Sequence, residues 1–186
     1  INHSAIRVRE LVEVLAHYTA LATDSRKKEA VDLNLMFNLL TNKFREEFDK
    51  KNALLQLQGL STVQGYPDQL RLLFECLIDN SLKFSKDNQS VVIKVSKQQL
   101  LDSDPETFRS QCAFKIVYQD NGIGFDNAFA EKIFSMFRRL QTSSEGDGKG
   151  IGLSIVKRVM TNHSGFVLAR GKPNEGAEFV LYFPDH

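Results

Sequence analysis

The densest group of residues able to do chemistry is Gly146-Asp-Gly148-Lys-Gly150-Ile-Gly152-Leu-Ser-Ile-Val-Lys157, glycines spaced by two that run into an apolar, helix-compatible segment. Glycine lets a backbone approach an anion and adopt positive φ. The first turn of the helix that follows offers unpaired N–H groups and the positive end of its dipole, which together suit a phosphate. Register excludes two familiar versions of such a loop. A dinucleotide fingerprint needs glycine three residues after its G-x-G, where Leu153 stands. A Walker loop needs Ser or Thr after Gly-Lys, yet Gly150 follows Lys149. Taken alone, the run fits a ligand-free flexible loop equally well.

A second group is Asp120-Asn-Gly122-Ile-Gly124, preceded by the alternating stretch Ala113-Phe-Lys-Ile-Val-Tyr-Gln119, which reads as a half-buried strand. An acid at a strand end points a carboxylate into a cleft, and the alternate glycines keep the backbone close to a flat ligand. Glu131 falls where a calcium loop would end, but Gly122 and Gly124 lack side-chain oxygens and Phe125 takes the place of the required glycine. Calcium is excluded. The third group lies on Pro67-Asp-Gln-Leu-Arg-Leu-Leu-Phe-Glu-Cys-Leu-Ile-Asp-Asn80-Ser-Leu-Lys83-Phe84. Leu70, Leu73, Leu77 and Phe84 form its apolar stripe, and Pro67 suits a first turn. At about 100° per residue, Cys76, Asn80 and Lys83 lie within roughly 60° of one another on a neighbouring face. That face is either a solvated polar edge or a place where an amide and an ammonium act together.

The elements that must position these groups follow from the same periodicities. A short strand is expected at 31–33, a helix at 35–48, a strand at 53–60 and the helix at 67–84. Strands follow near 91–96 and 113–119, separated by a polar insertion with Asp102-Ser-Asp-Pro105. A helix begins near Gly150, with strands near 166–170 and 177–183. Helices gathered against one mixed sheet give an α/β two-layer sandwich.

In their order, these groups resemble the catalytic and ATP-binding domain of sensor histidine kinases, within the wider GHKL group of ATPases, over roughly residues 31 to 186. Asn80-Ser-Leu-Lys-Phe-Ser85 resembles the N box, and Asp120-x-Gly122-x-Gly124 the first glycine box. Ile133-Phe-Ser-Met-Phe-Arg-Arg139 resembles the F box, Gly148-x-Gly150-x-Gly152-Leu153 the second glycine box, and Gly176-Ala-Glu-Phe179 a weaker third. Five motifs in one order carry more than any of them alone. The fold implied is the GHKL, or Bergerat-type, sandwich.

The resemblance also implies roles. Asp120 accepts a hydrogen bond from the adenine amino group, and Gly124, near Gly122, gives the base room. Asn80 places its amide oxygen on Mg²⁺, a cation that takes hard oxygen ligands and keeps waters and phosphate oxygens. Lys83 meets a phosphate and Phe84 lines the nucleotide site. Gly148, Lys149, Gly150, Ile151, Gly152 and Leu153 frame the triphosphate. The segment from Asp126 to Asp147 is the implied ATP lid, with Arg139 reaching the γ-phosphate. Hydrolytic relatives such as gyrase carry a water-activating glutamate four residues before the helix asparagine. Cys76 holds that place here, and Glu75 points about 140° away from Asn80. Transfer is thereby favoured over hydrolysis. A nucleotide-binding module with decayed activity and a serine kinase of the anti-sigma type share much of this pattern.

The opening segment carries Ile6, Leu11, Val14, Leu15, Tyr18 and Leu21 at helical spacing before a polar break at Thr23-Asp-Ser-Arg-Lys-Lys28. It fits either a helix docked on its own domain or, by the resemblance, the end of the second helix of a dimerisation and phosphotransfer bundle. The expected division is 1–28 for that helix and linker and 29–186 for the catalytic domain. His3 and His17 lack the acid that follows a phosphoacceptor histidine in this family. The acceptor is therefore expected on the parent's phosphotransfer domain, outside this fragment. A homodimeric parent and the receiver domain of a response regulator are the implied partners.

Composition agrees. The 186 residues carry 24 Lys and Arg against 23 Asp and Glu, which gives no global pull toward nucleic acid or an anionic membrane. No apolar run reaches the roughly 18 residues of a membrane span, so no membrane contact by this fragment is expected, and any anchor of the parent lies elsewhere. Two cysteines 36 positions apart and four scattered histidines form no metal or disulfide framework. Reduced thiols in a cytoplasmic protein are the expectation.

Overall fold

The computed structural model describes residues 27–135 and 150–184. The opening segment, Arg139, Gly148 and Lys149 lie outside the described residues. A short antiparallel ribbon joins β1 (Glu29–Asp32) to β3 (Thr62–Gly65). The main sheet has the order β2 (Leu54–Gln58), β4 (Val92–Gln99), β5 (Phe114–Asp120), β7 (Gly176–Phe183), β6 (Phe166–Lys172). β2 and β4 are parallel and the other pairs antiparallel, so the sheet is mixed. Helices α1 (Leu33–Lys43), α3 (Pro67–Lys83) and α5 (Gly152–Asn162) cover one face.

The expected helix at 35–48 is two helices, α1 and α2 (Arg45–Lys50), broken at Phe44. The Asp32 carboxylate starts α1 by accepting from the Asn34 and Leu35 amides at 2.8 and 3.2 Å, an N-cap worth about 1 kcal/mol. On α3, Leu70, Leu73 and Leu77 are fully buried, as the stripe requires. Phe84 is not part of the stripe. The helix ends at Lys83, Phe84 turns off its axis, and the ring is 45% exposed. β3 was not legible in sequence, because a four-residue strand with only Val63 and Gly65 turned inward carries too short a pattern.

β5 departs from the half-buried expectation, since Ile116, Val117 and Tyr118 are all buried. Ile116 and Tyr118 meet the helices together with Ile93, Phe179 and Leu181. On the other face Val117, Val180 and Tyr182 are covered by the insertion after β4, which contributes Leu100, Phe108 of α4 (Glu106–Arg109) and Cys112. A buried ion pair fastens this cover. Lys115 Nζ meets both oxygens of Asp104 at 2.7 and 2.8 Å, and the Tyr182 hydroxyl and Leu101 amide also donate to that carboxylate. Burial pushes the Asp104 carboxyl up, and these donors more than offset it, leaving it below its ordinary value.

α3 and α5 are tied at one end by His163, whose Nε2 accepts from the Tyr66 amide at 3.0 Å. Nδ1 must then carry the proton that it gives to the Val159 carbonyl at 2.8 Å. With its far end anchored, α5 turns its N-terminus toward the middle of α3, where the candidate site lies.

Candidate nucleotide site

Asp120 closes β5 with both carboxylate oxygens engaged. Oδ1 accepts from the Gly122 amide at 2.9 Å and the Ala177 amide at 3.3 Å. Oδ2 accepts from the Ser81 hydroxyl at 2.9 Å. Burial raises the carboxyl above its ordinary value, while Gly122, Ser81, Ala177 and the charge of Lys86 offset part of the rise. Among the described residues Oδ2 has a single partner and so keeps an acceptor direction for a ligand.

The loop after Asp120 is laced to two neighbours. The Ile123 amide donates to the Phe84 carbonyl at 2.9 Å, and the Asn174 amide to the Ile123 carbonyl at 2.7 Å. A Cβ on Gly122 would stand 2.5 Å from the Phe84 carbonyl. Gly124 has φ +63°, and its missing Cβ faces the carbonyls of Lys172 and Gly176. The room at Gly124 that sequence assigned to a base is thus filled, on that side, by the protein's own backbone. Phe84 contributes a carbonyl to the loop while its ring stands exposed.

Asn121, which sequence reading passed over, latches the same loop to β4. Its Oδ1 accepts from the Val92 amide at 2.8 Å and its Nδ2 donates to the Ser90 carbonyl at 3.0 Å. An Asp-Asn pair at a strand end was the available signal.

α3 connects the remaining groups. Cys76 lies against the start of α5, where a Cβ on Gly152 would stand 3.6 Å from its own Cβ, an ordinary contact. Burial, then the charges of Asp79 and Glu75, push the Cys76 thiol up to about 12. A thiol held so far from ionisation is a small apolar filler rather than a nucleophile. Asn80, one turn on, is half-buried, and no hydrogen bond to a described residue engages its amide. Lys83 is exposed and bonds Asp79 at 2.7 Å. Glu75 is held by Lys43 of α1 at 2.8 Å, with its side chain 16% exposed.

Gly150 has φ +66° and Ile151 forms the N-cap of α5 without a side-chain hydrogen bond to the first turn. The leading amides of this 11-residue helix receive no cap from the Ile151 side chain. Ile151 is buried and Leu153 half-buried. Beyond Gly124, Asp126 caps a 3₁₀ turn at Asn127–Phe129, and the F-box residues Ile133 and Phe134 are buried in the core.

The fold therefore gathers Asp120, Gly122, Gly124 and the Phe84 carbonyl at one end of α3, and Cys76 with Gly152 at its middle. An open groove of about 600 Å³ also includes Asp120, but it lies among β4 to β7 and contains none of Asn80, Lys83, Gly150 or Gly152. No helix among the described residues is long and apolar enough to cross a membrane.

Comparison with known proteins agrees with this geometry. The family model for histidine kinase-, DNA gyrase B- and HSP90-like ATPases matches residues 65–186. The phytochrome-like protein Cph1 of Synechocystis sp. is 28% identical over 177 residues, 95% of this chain and 22% of that protein. The sensor protein kinase PmrB of Pseudomonas aeruginosa is 28% identical over 188 residues, 99% of this chain and 37% of that protein. The chain thus spans well under half the length of these curated relatives. The solved catalytic domain of histidine kinase ThkA superposes with a TM-score of 0.66 at 20% identity, covering 86% of this chain and 96% of that one. At that identity the likeness is one of fold, a mixed sheet under helices.

Proposed function

The chain belongs to the family of histidine kinase-, DNA gyrase B- and HSP90-like ATPases, and on that footing we propose that it is the ATP-binding catalytic domain of a two-component sensor histidine kinase. It passes the γ-phosphate of ATP to a histidine on the parent's own dimerisation and phosphotransfer domain. The parent is a homodimer working in the cytoplasm, and the phosphate then moves to the receiver domain of a response regulator.

Asp120 carries this reading. A carboxylate fixed by three donors, with one acceptor direction left on Oδ2, is suited to the amino group of adenine. The laced loop at Gly122 and Gly124 keeps that carboxylate in place, and Phe84 borders the base. The backbone amides of Gly150, Ile151, Gly152 and Leu153 at the start of α5 suit the triphosphate, and Gly148, Lys149 and Arg139 add to its cradle. Lys83 exchanges Asp79 for a phosphate, and an exposed pair of that kind is worth about 0 to 1 kcal/mol, so the exchange costs little.

Mg²⁺ fits the donor set. Asn80 offers a hard oxygen that no described residue engages, whereas Cys76 is soft and Glu75 is committed to Lys43. When bound, the ion supplies charge neutralisation on the phosphates, with further ligands from phosphate oxygens and water. Phosphoryl transfer depends chiefly on such positioning and neutralisation. The place four residues before Asn80, where a water-activating base would stand, holds a half-buried neutral thiol, which favours transfer over hydrolysis.

The test is labelling. The chain supplied with γ-labelled ATP and Mg²⁺ should not label itself, because neither His3 nor His17 is followed by an acid. Added phosphotransfer domain of the parent should acquire acid-labile, alkali-stable phosphate, slowly, because tethering is lost. Acid-stable phosphate on a hydroxyl, or none at all, would refute the proposal.

A further inference from the structure

The residue beside Asn80 links Asp120 to a second, buried hydroxyl. Ser81 is 1% exposed and Tyr118 fully buried. The Ser81 hydroxyl lies 2.9 Å from Asp120 Oδ2 and 3.0 Å from the Tyr118 hydroxyl. An ionised carboxylate only accepts, so the single Ser81 proton is given to Asp120 and Ser81 must accept from Tyr118. The chain of donors runs one way, from Tyr118 through Ser81 to Oδ2. Burial keeps the Tyr118 phenol well above its ordinary value, which preserves it as a donor.

This relay joins α3 to β5 at the reading atom. With Oδ1 satisfied by the Gly122 and Ala177 amides and one direction of Oδ2 taken by Ser81, the carboxylate cannot swing, and it offers one remaining acceptor. We propose that Ser81, aligned by Tyr118, is a positioning residue that makes Asp120 a single-direction acceptor and thereby sets the preference for a 6-amino over a 6-oxo purine nucleotide. The proposal rests on the reading that Asp120 meets the purine 6-substituent. A 6-amino group donates into the remaining direction. A 6-oxo group would meet a carboxylate oxygen with another acceptor, and is refused unless the carboxyl rotates or takes up a proton. Ser81 opposes both, because it holds Oδ2 in place and its donated hydrogen bond favours the ionised form. Among the described residues, the charge of Lys86 after α3 acts on Asp120, and Lys94 on β4, Arg170 and Lys172 on β6, Glu175 in the following turn and Glu178 on β7 line the groove that includes it.

Calorimetry on the full chain tests this with imido analogues of ATP and GTP and with purine riboside triphosphate, which has no 6-substituent. Ser81→Ala should weaken the ATP analogue about 3- to 10-fold, the scale of one net hydrogen bond. It should leave purine riboside triphosphate unchanged and shrink the ATP-to-GTP preference. Tyr118→Phe, which keeps the ring and the Ser81 hydroxyl, should move the same ratio less, with thermal unfolding reporting that either variant is folded. A wild-type ratio in both variants overturns the relay, as does an equal loss for ATP and purine riboside triphosphate in Ser81→Ala. Asp120→Asn separates the layers. If it abolishes the 6-amino preference while Ser81→Ala does not, the relay alone fails. If it too leaves the preference intact, the adenine reading fails with it.

Discussion

Replacing Asp120 by Asn keeps the size and two of the three hydrogen-bonding directions, so its effect on nucleotide binding can be worked out atom by atom. The Gly122 and Ala177 amides both donate to Oδ1, so the new amide must turn its oxygen to them, since the other flip sets two N–H groups against an NH₂. The amide nitrogen then occupies the place of Oδ2. There Ser81 can accept from it while keeping its hydrogen bond with Tyr118, so the packing is kept at the cost of one hydroxyl proton left without the carboxylate as acceptor. The adenine amino group, however, now faces a donor where it had an acceptor. Losing a charge-assisted hydrogen bond of this kind costs about 1.5 to 3 kcal/mol, roughly 10- to 150-fold in Kd. Calorimetry with a non-hydrolysable ATP analogue measures it, and thermal unfolding near that of wild type shows the protein intact. Wild-type affinity in a folded Asp120→Asn protein would refute the reasoning.

Other consequences are as specific. Because burial raises the Asp120 carboxyl, protonation removes the acceptor at a higher pH than for an ordinary aspartate as pH falls; affinity for the ATP analogue should show an acid limb there that Asp120→Asn lacks. Lys115→Met should destabilise the fold by about 3 to 5 kcal/mol in urea, since it strands a buried carboxylate, and adding Asp104→Leu should restore much of the loss. Gly176→Ala combines φ +111° with a Cβ driven into the Asp120 carbonyl, so it should cost about 1 to 3 kcal/mol in thermal or urea unfolding and weaken nucleotide binding as well. Cys76→Ala should leave Mg-dependent ATP affinity within about 0.5 kcal/mol, whereas Asn80→Ala should weaken it severely. The reverse pattern in a Mg²⁺ titration would remove Asn80 from the metal.

The sequence alone determined what local spacing encodes. The apolar stripe of Leu70, Leu73 and Leu77, the strand ending at Asp120 and the helix starting beside Gly150 all follow from periodicity and turn chemistry within a few residues. The order of those motifs identified the ATPase family. Tertiary structure decided what distant segments do to one another. Only packing shows that Phe84 leaves the helical stripe to lend its carbonyl to the Gly122 loop, or that β5 is covered on both faces because Asp104 and Lys115 hold the insertion down. The direction in which Gly124 needs space is set by the turn after β6. Ser81 reaches a carboxylate 39 residues away, a contact that no periodicity records. Hydrophobic pattern fixes which face of an element turns inward, but the pairing of individual donors and acceptors is fixed only when non-local elements close on one another and every buried polar group must find a partner.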